Sequence, residues 1–358
     1  MISTNGLRFS LSIHTEEEND KNMPRKKISF DGQMRLPFEE WEDERPALPI
    51  KRDVYAHAEI PQPKKELREP AERLLNYMSL ASGSSGNSCY IGTPRGGIII
   101  DAGIKADVIE STLKGNGIDM KRVAGVLLTH DHSDHVRFVY SLLRAHKHLR
   151  LYCTNRVLNG ILRRHSISKR IKDYHQPIFK EIPFTIGDLE ITAFDVPHDG
   201  TDNMGFSIEF DGRRFVLATD LGAVTERARH YISRANYLVI EANYDLNMLR
   251  MGRYPEYLKA RIQTEIGHLD NMQTAAFLKE IINPDLKYIF LCHLSQDNNT
   301  PQKALAAVRD ALEEAGKKVG NALGTLDDRN ADVQLMALPR FEPTRWFVFR
   351  PLPEDPRS

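Results

Sequence analysis

The chain has 358 residues, 41% of them hydrophobic, so it can bury a substantial core. Its 49 basic and 49 acidic side chains cancel, and net charge therefore gives no sign of affinity for nucleic acid or membranes. Three widely spaced cysteines fit neither a disulfide framework nor a paired-cysteine zinc site, and no apolar run approaches the roughly 18 residues that span a bilayer, so we expect a cytoplasmic protein that is neither exported nor membrane-inserted.

Residues 1–75 are dense in charge and proline and lack sustained apolar periodicity. We expect a largely disordered N-terminal extension there. From residue 76 to 350, short apolar runs alternate with helix-like segments, which predicts one folded domain. Residues 351–358 remain as a short tail.

Several candidate strands of this domain end directly in a histidine or an aspartate. The strands are predicted at 77–80, 89–92, 97–101, 123–129, 189–196, 205–210, 214–219, 237–241, 287–292, 333–338 and 346–349. An apolar face predicts a helix over 134–146 with Ser133 as its cap, and Thr300 with Pro301 marks the start of another. This mixture predicts an α/β fold with two sheets inside and helices outside, a four-layer αββα sandwich.

The most informative segment follows the apolar run at 126–128 and reads Thr129-His130-Asp131-His132-Ser133-Asp134-His135. Residues two apart in an extended chain face the same side, so His130 and His132 can converge on one ion. Asp134 and His135 then enter from the opening helical turn toward a second ion. Imidazole and carboxylate groups suit zinc and similar divalent ions. A polar turn with solvated histidines is the alternative, but this density of ligand types behind a buried strand favours metal.

The remaining ligands are expected at the ends of other strands. His198 follows an apolar strand in VPHD, and Asp220 stands in ATDLG, where its carboxylate could bridge two ions. His293 follows another strand in FLCHLS. Each of these residues alone could be an ordinary core or turn residue, but their order after the cluster favours a joint site.

This ordered set resembles the metallo-β-lactamase superfamily, whose pattern is His-x-His-x-Asp-His followed by a distant histidine, a bridging aspartate and a final histidine. The resemblance implies a domain over 76–350 with two ions that share a carboxylate: His130, His132 and His198 on one ion, Asp134, His135 and His293 on the other, and Asp220 between them. Asp101 matches a structural aspartate of the superfamily, although a plain strand-end turn explains it equally well. Two divalent ions, zinc or manganese, can generate hydroxide from a shared water and suit phosphodiester hydrolysis, with Asp134 also catalytic.

Finer motifs resemble the YycJ/WalJ-type branch of DNA exonucleases, for which the resemblance implies 5′-to-3′ digestion. The motifs are LASGSSGNS at 80–88, NMLRMGRYP at 247–255, IGHLDN at 266–271 and HLSQDNN at 293–299. The resemblance runs from about residue 78 to 315. One departure is Tyr244 in EANYD, where that branch often has a histidine, so no role of that histidine is carried over.

Candidate substrate contacts come from three places. Residues 144–180 contain ten basic residues and only one acidic residue. Basic clusters of this kind can neutralise the phosphates of a nucleic-acid backbone, although an ordinary solvated surface is the alternative. The candidates of this stretch are Arg163, Arg164, Lys169 and Arg170. The loop at 80–88 adds Ser84 and Asn87. Arg250 and Arg253 match phosphate geometry, or form salt bridges with Glu256 or Glu265.

His268, directly before a helix-like segment, is a candidate proton donor to the leaving oxygen, with a structural histidine as the alternative. The sequence therefore favours a metal-dependent phosphodiesterase with DNA as its substrate, acting through a metal-bridged hydroxide. A hydrolase of small cyclic or activated phosphodiesters and an RNA-processing nuclease are alternatives. A non-enzymatic, metal-stabilised binding module is disfavoured, because a structural zinc site needs only four ligands. No pattern indicates an oligomeric state.

Overall fold

The computed structural model describes residues 69–321, 328 and 330–351. The predicted N-terminal extension lies outside the described residues as far as residue 68, and so does the predicted tail from residue 352. A 3-10 helix at Pro70–Arg73 and the first residue of the strand Leu75–Ala81 fall within the range assigned to the extension.

Two mixed β-sheets form the interior of the described part of the chain. The first contains seven strands, in spatial order β15 (Phe347–Phe349), β1 (Leu75–Ala81), β2 (Ser88–Thr93), β3 (Gly96–Ile100), β4 (Val123–Leu127), β5 (Arg150–Cys153) and β6 (His175–Pro177). The second contains eight, in spatial order β13 (Val319–Asn321), β14 (Val333–Ala337), β12 (Tyr288–Cys292), β11 (Tyr237–Glu241), β10 (Arg213–Ala218), β9 (Met204–Phe210), β8 (Leu189–Asp195) and β7 (Phe184–Ile186).

The two sheets pack face to face. Tyr77 on β1 places its ring centroid 4.8 Å from that of Phe215 on β10 and 5.0 Å from that of Phe290 on β12. Most strand residues are buried on both faces, because helices cover the outer sides. The three cysteines are buried, free thiols in this interior. The arrangement confirms the predicted four-layer αββα sandwich.

The outer layers consist of helices. They are α1 (Ala106–Gly115), α2 (Ser133–Val136), α3 (Val139–Ala145), α4 (Asn155–Arg164), α5 (Glu226–Ile232), α6 (Leu246–Met251), α7 (Glu256–Ile262), α8 (Asn271–Ile281) and α9 (Pro301–Glu314), with further 3-10 helices at Met120–Arg122 and Lys169–Tyr174. Residues of α1, α3 and α4 belong to the core that includes the first sheet, and those of α5, α8 and α9 to the core on the second. Within the described ranges, no helix combines the length and apolarity needed to cross a bilayer.

Helix starts test the capping predictions. Thr300 accepts a hydrogen bond from the Lys303 amide at 3.2 Å and Pro301 opens α9, as predicted. The cap predicted at Ser133 is wrong, because α2 begins at that residue and the extended His132 precedes it. The predicted helix is also split in two. Ala102 causes the split, since its N–H donates to the His135 carbonyl and its own carbonyl accepts from Phe138.

The carboxyl ends of the strands place the polar residues. β3 and β4 run parallel, as do β10, β11 and β12, and β9 is antiparallel to both β8 and β10. Strands that point the same way end at the same edge of a sheet, where α/β proteins build their sites. Six strands end at or shortly before a residue with an ionisable side chain: Asp101 after β3, His130 after β4, His198 after β8, Asp220 after β10, Glu241 at the end of β11 and His293 after β12.

Candidate metal centre

Three histidines form the first potential ion site. His130, His132 and His198 each offer one ring nitrogen, and these atoms lie within 4.8 Å of one another. His130 and His198 are buried, whereas His132 is partly exposed. Since imidazole nitrogens bind zinc at about 2.0–2.1 Å, three of them at such mutual distances can surround one cation.

A second potential site lies beside the first. Asp134, His135 and His293 offer ligand atoms within 4.8 Å of one another, and so do His130, His135 and Asp220. Asp220 Oδ2 is 3.3 Å from His135 Nε2, and its Oδ1 is 3.7 Å from His198 Nε2. The structure thus brings all seven predicted ligands together, in the two groups that the resemblance implies.

Neighbouring groups fix the orientation of the histidine rings. His135 Nδ1 lies 2.7 Å from Asp101 Oδ2, and His198 Nδ1 lies 3.0 Å from the Gly267 carbonyl. His130 Nδ1 lies 2.9 Å from Thr129 Oγ1. Because Nδ1 is occupied in each ring, Nε2 is left for the centre, which is the usual arrangement of metal-binding histidines. Asp101 therefore orients a candidate ligand as well as ending a strand.

Two buried imidazole nitrogens test whether a cation fits this centre. Nε2 of His130 and Nε2 of His293 have no hydrogen-bond partner within the described residues. A buried polar atom without a partner costs about 1–3 kcal/mol. One coordinated divalent cation in each ligand group would satisfy these two nitrogens, so the residues present fit such ions.

The charge balance of the centre points the same way. Burial lowers the pKa of His130 well below its usual value, which favours the neutral ring that a metal requires. Burial also opposes protonation of His293, but the nearby Asp220 and Asp134 carboxylates and a hydrogen bond to Glu241 raise its pKa to about 10. The Asp220, Asp134 and Glu241 carboxylates therefore favour a positive charge at this position, and a bound divalent cation would supply it.

Three of the strand-end residues adopt a left-handed backbone. The φ angles of Asp101, Asp220 and His293 are 59°, 51° and 55°. This region is uncommon for residues other than glycine, and such strain clusters at functional sites. The sharp turn lets each side chain leave its strand toward the common edge.

Glu241 belongs to the centre, and sequence reasoning missed it. Its carboxylate is fully buried, and Oε1 lies 2.8 Å from His268 Nδ1 and 2.9 Å from His293 Nδ1. Oε2 accepts from the Leu221 amide at 2.8 Å. The signal was available, because Glu241 is a charged residue that ends an otherwise apolar strand between the strands that lead to Asp220 and His293.

The structure places His268 at the rim of the centre. Its ring centroid is 5.0 Å from that of His198 and 5.3 Å from that of His293. The side chain is 19% exposed. Glu241 holds Nδ1, so the other ring nitrogen is free to face a substrate, a geometry that suits a proton donor.

The loop between β1 and β2 also contacts the centre. Asn87 Nδ2 lies 3.1 Å from Asp134 Oδ2 and 3.0 Å from His135 Nε2, while Asn87 Oδ1 accepts from the Gly83 amide at 2.8 Å. Asn87 is therefore placed against predicted ligands, whereas Ser84 is exposed at the loop surface.

Arg250 and Arg253 are exposed at the end of α6 and just beyond it. The salt bridges considered for them are not seen among the described residues. Glu256 instead pairs with Lys259 at 2.9 Å, and Lys259 Nζ also donates to the Arg250 carbonyl. Both guanidinium groups thus face solvent without an acidic partner in this part of the chain.

The basic candidates lie on α4 and on the 3-10 helix Lys169–Tyr174, and Arg163, Arg164, Lys169 and Arg170 are all exposed. Arg164 Nε lies 3.6 Å from Asp131 Oδ2, and Arg170 Nε lies 3.6 Å from Asp173. Because Asp131 stands between His130 and His132 in the chain, α4 borders the centre.

Comparison with known proteins shows the family to which the chain belongs. A protein-family model described as a Beta-lactamase superfamily domain matches residues 97–291. The exodeoxyribonuclease YycJ of Bacillus anthracis is 36% identical over 69% of this chain and 93% of its own length. The exodeoxyribonuclease WalJ of Streptococcus pneumoniae is 34% identical over 68% of this chain and 90% of its own length.

Solved structures share the architecture. The metallo-β-lactamase fold protein YhfI of Bacillus subtilis superimposes with a TM-score of 0.53, covering 77% of this chain and 100% of that protein at 13% identity. At this identity the likeness concerns the fold alone, and it agrees with the two-sheet sandwich described above. The chain therefore belongs to the metallo-β-lactamase superfamily and resembles its YycJ/WalJ-type exodeoxyribonuclease branch.

Proposed function

We propose that this protein is a metal-dependent exodeoxyribonuclease that hydrolyses DNA phosphodiester bonds from the 5′ end. One observation carries the proposal: seven ligand-type side chains converge in a chain that is 36% identical to an exodeoxyribonuclease over 93% of that protein. The fold of the superfamily implies divalent metal binding, and two zinc or manganese ions are proposed here.

The ligands divide between the two ions. His130, His132 and His198 would hold one ion, Asp134, His135 and His293 would hold the other, and Asp220 would serve both groups. When bound, a pair of divalent ions lowers the pKa of water and offsets charge on phosphate oxygens. Asp101 and Glu241 fix the rings of His135 and His293 through the hydrogen bonds described above.

His268 is the proposed proton donor. Glu241 accepts a hydrogen bond from its Nδ1, so the ring is held with its second nitrogen toward the rim. A deoxyribose alkoxide is a poor leaving group, and a positioned acid accelerates its departure by about 10²–10⁴-fold. Asn87 positions Asp134, which lies at the same rim and is 19% exposed.

The remaining candidates are proposed to hold the DNA. Arg250 and Arg253 are free to form bidentate contacts with phosphate oxygens, and Ser84 presents a hydroxyl on the exposed loop. Arg163, Arg164, Lys169 and Arg170 contribute positive charge beside the centre, which attracts the DNA backbone without regard to sequence.

Digestion of end-labelled DNA tests the proposal. Linear duplexes and single strands labelled at the 5′ or the 3′ end are incubated with the protein in a zinc and manganese series, beside RNA of the same sequence. We expect the 5′ label to appear first in short products while the 3′ label stays in long ones. Asp134→Ala should abolish cleavage, and Asp107→Ala, an exposed aspartate of α1, should not.

Two results would contradict parts of the proposal. Release of the 3′ label first would reverse the polarity, and preferential digestion of RNA would change the substrate. Absence of cleavage with every metal, in protein that binds two ions, would overturn the nuclease activity itself.

A further inference from the structure

A basic pocket lies next to the metal centre, where α4 meets the 3-10 helix Lys169–Tyr174. Its volume is about 550 Å³, and it is called the α4 pocket below. Its lining residues are Arg156, Asn159, Leu162, Arg163, Lys169, Lys172 and Thr201. Four of them are cations and none is an acid, so the pocket favours an anion.

Local geometry explains why the cations converge. Arg156, Asn159 and Arg163 are spaced three and four residues apart, which places them on one face of α4. Lys169 and Lys172 are three residues apart in a 3-10 helix, where such side chains eclipse one another. Both helices therefore turn their basic side toward the same hollow.

Three of these cations are available to a ligand. Arg156 Nη2 donates a hydrogen bond to the Thr201 carbonyl at 3.1 Å, so this guanidinium group holds two lining residues of the pocket together. Arg163, Lys169 and Lys172 are exposed, and their side chains make no ion pair or hydrogen bond within the described residues. By contrast, the adjacent Arg170 lies beside an acid at 3.6 Å and does not line the pocket.

A buried carboxylate ties the pocket to the centre. Thr201 donates to Asp131 through its backbone N–H at 2.8 Å and its hydroxyl at 2.6 Å. Asp131 is fully buried and lies between two candidate ligands in the chain. A Cβ on Gly160 of α4 would lie 2.1 Å from Asp131 Oδ2, so glycine permits the close approach. Thr201 follows His198 by three residues, which limits their Cα separation to about 11 Å.

We propose that the α4 pocket binds backbone phosphates of the same strand that is cut at the metal centre. Since the Cα atoms of Thr201 and His198 lie within about 11 Å of each other, the pocket is within reach of phosphates a few nucleotides from the scissile bond. Arg163, Lys169 and Lys172 supply the charge. The inference rests on the proposed function, because it requires a nucleic-acid strand at the centre.

Binding measured without cleavage tests the pocket. A 3′-fluorescein single strand with a 5′-hydroxyl is titrated with protein in EDTA over a salt series, and fluorescence anisotropy reports the affinity. The triple variant Arg163→Gln/Lys169→Gln/Lys172→Gln should lower the salt slope by about 0.7 for each phosphate that the protein no longer neutralises, which is about five-fold weaker binding per phosphate at 0.1 M salt.

A matched variant controls for total charge. Lys114→Gln/Lys121→Gln/Lys318→Gln removes the same charge from exposed residues outside the pocket and should leave the slope unchanged. Equal reductions in affinity in both triple variants would overturn the proposal, and so would a wild-type slope in the pocket variant. A reduction seen only with a 5′-phosphorylated strand would assign the pocket to a terminal phosphate and overturn the backbone assignment.

The two proposals fail in different experiments. Hydrolysis of bis(p-nitrophenyl) phosphate with manganese by the wild-type protein reports the metal centre alone, and an unchanged melting temperature shows that the pocket variant is folded. If the wild-type protein binds the strand but cleaves neither substrate, the proposed function fails. The anisotropy data still decide whether the pocket binds phosphate.

Discussion

Replacing Glu241 by glutamine removes one negative charge from the interior without changing the shape of the side chain. Oε1 faces Nδ1 of His268 and Nδ1 of His293, and Oε2 accepts from the Leu221 amide. If the amide NH₂ of the glutamine took the place of Oε2, it would face the Leu221 N–H, which is also a donor. If the NH₂ took the place of Oε1, the rings of His268 and His293 would have to accept at Nδ1 and carry their proton on Nε2. In His293, Nε2 is the nitrogen that lies 3.5 Å from Asp134.

The size of the effect follows from these contacts. Loss of one hydrogen bond to a charged group costs about 1.5–3 kcal/mol, and this is the expected drop in the free energy of unfolding. Removing the partner of a metal-binding histidine weakens metal affinity by about 10–100-fold, which is about 1.4–2.7 kcal/mol.

Competition with a chromogenic chelator measures the metal affinity of Glu241→Gln, and urea unfolding of the metal-free protein measures its stability. Glu190→Gln is the matched control, since Glu190 is exposed on β8 and loses the same charge. If Glu241→Gln bound both ions with wild-type affinity, Glu241 would not determine which nitrogen of His293 carries the proton, and the reasoning would be refuted.

Asp220→Asn should reduce bound metal from two ions per chain to one or none, because this carboxylate lies within reach of both ligand groups. Elemental analysis after dialysis measures this, and two retained ions would contradict a bridging role. His268→Ala should lower kcat on DNA by about 10²–10⁴-fold but spare a nitrophenyl diester, whose leaving group needs no proton; equal losses on both substrates would exclude the proton donor. Gly160→Ala should destabilise the protein by about 1–3 kcal/mol in urea unfolding, because the added Cβ would meet Asp131 Oδ2 at 2.1 Å. Gly115→Ala on α1, where nothing lies within 4 Å of a Cβ, should be neutral or stabilising by about 0.4–1 kcal/mol, and the same result for Gly160→Ala would mean that α4 shifts freely.

Features with a local cause could be predicted from the sequence. All eleven predicted strands are present, with ends that differ by at most two residues, because apolar runs bounded by polar residues bury themselves in a sheet whatever its neighbours. The start of α9 was predictable because Thr300 and Pro301 act within one turn. The four strands that were not predicted, β5, β6, β7 and β13, have three or four residues each and depend on a partner strand for their definition.

The sequence by itself determined which side chains bind metal in our proposal, since His130, His132, Asp134 and His135 are neighbours in the chain and their spacing encodes their directions. The tertiary structure alone decided what surrounds them. Glu241 became part of the centre because parallel strands end at one edge, and Ala102 split the helix predicted after the cluster through hydrogen bonds that cross from β3. Contacts of this kind join residues that are 34 positions apart for Asp101 and His135 and 52 positions apart for Glu241 and His293, and no local periodicity records them.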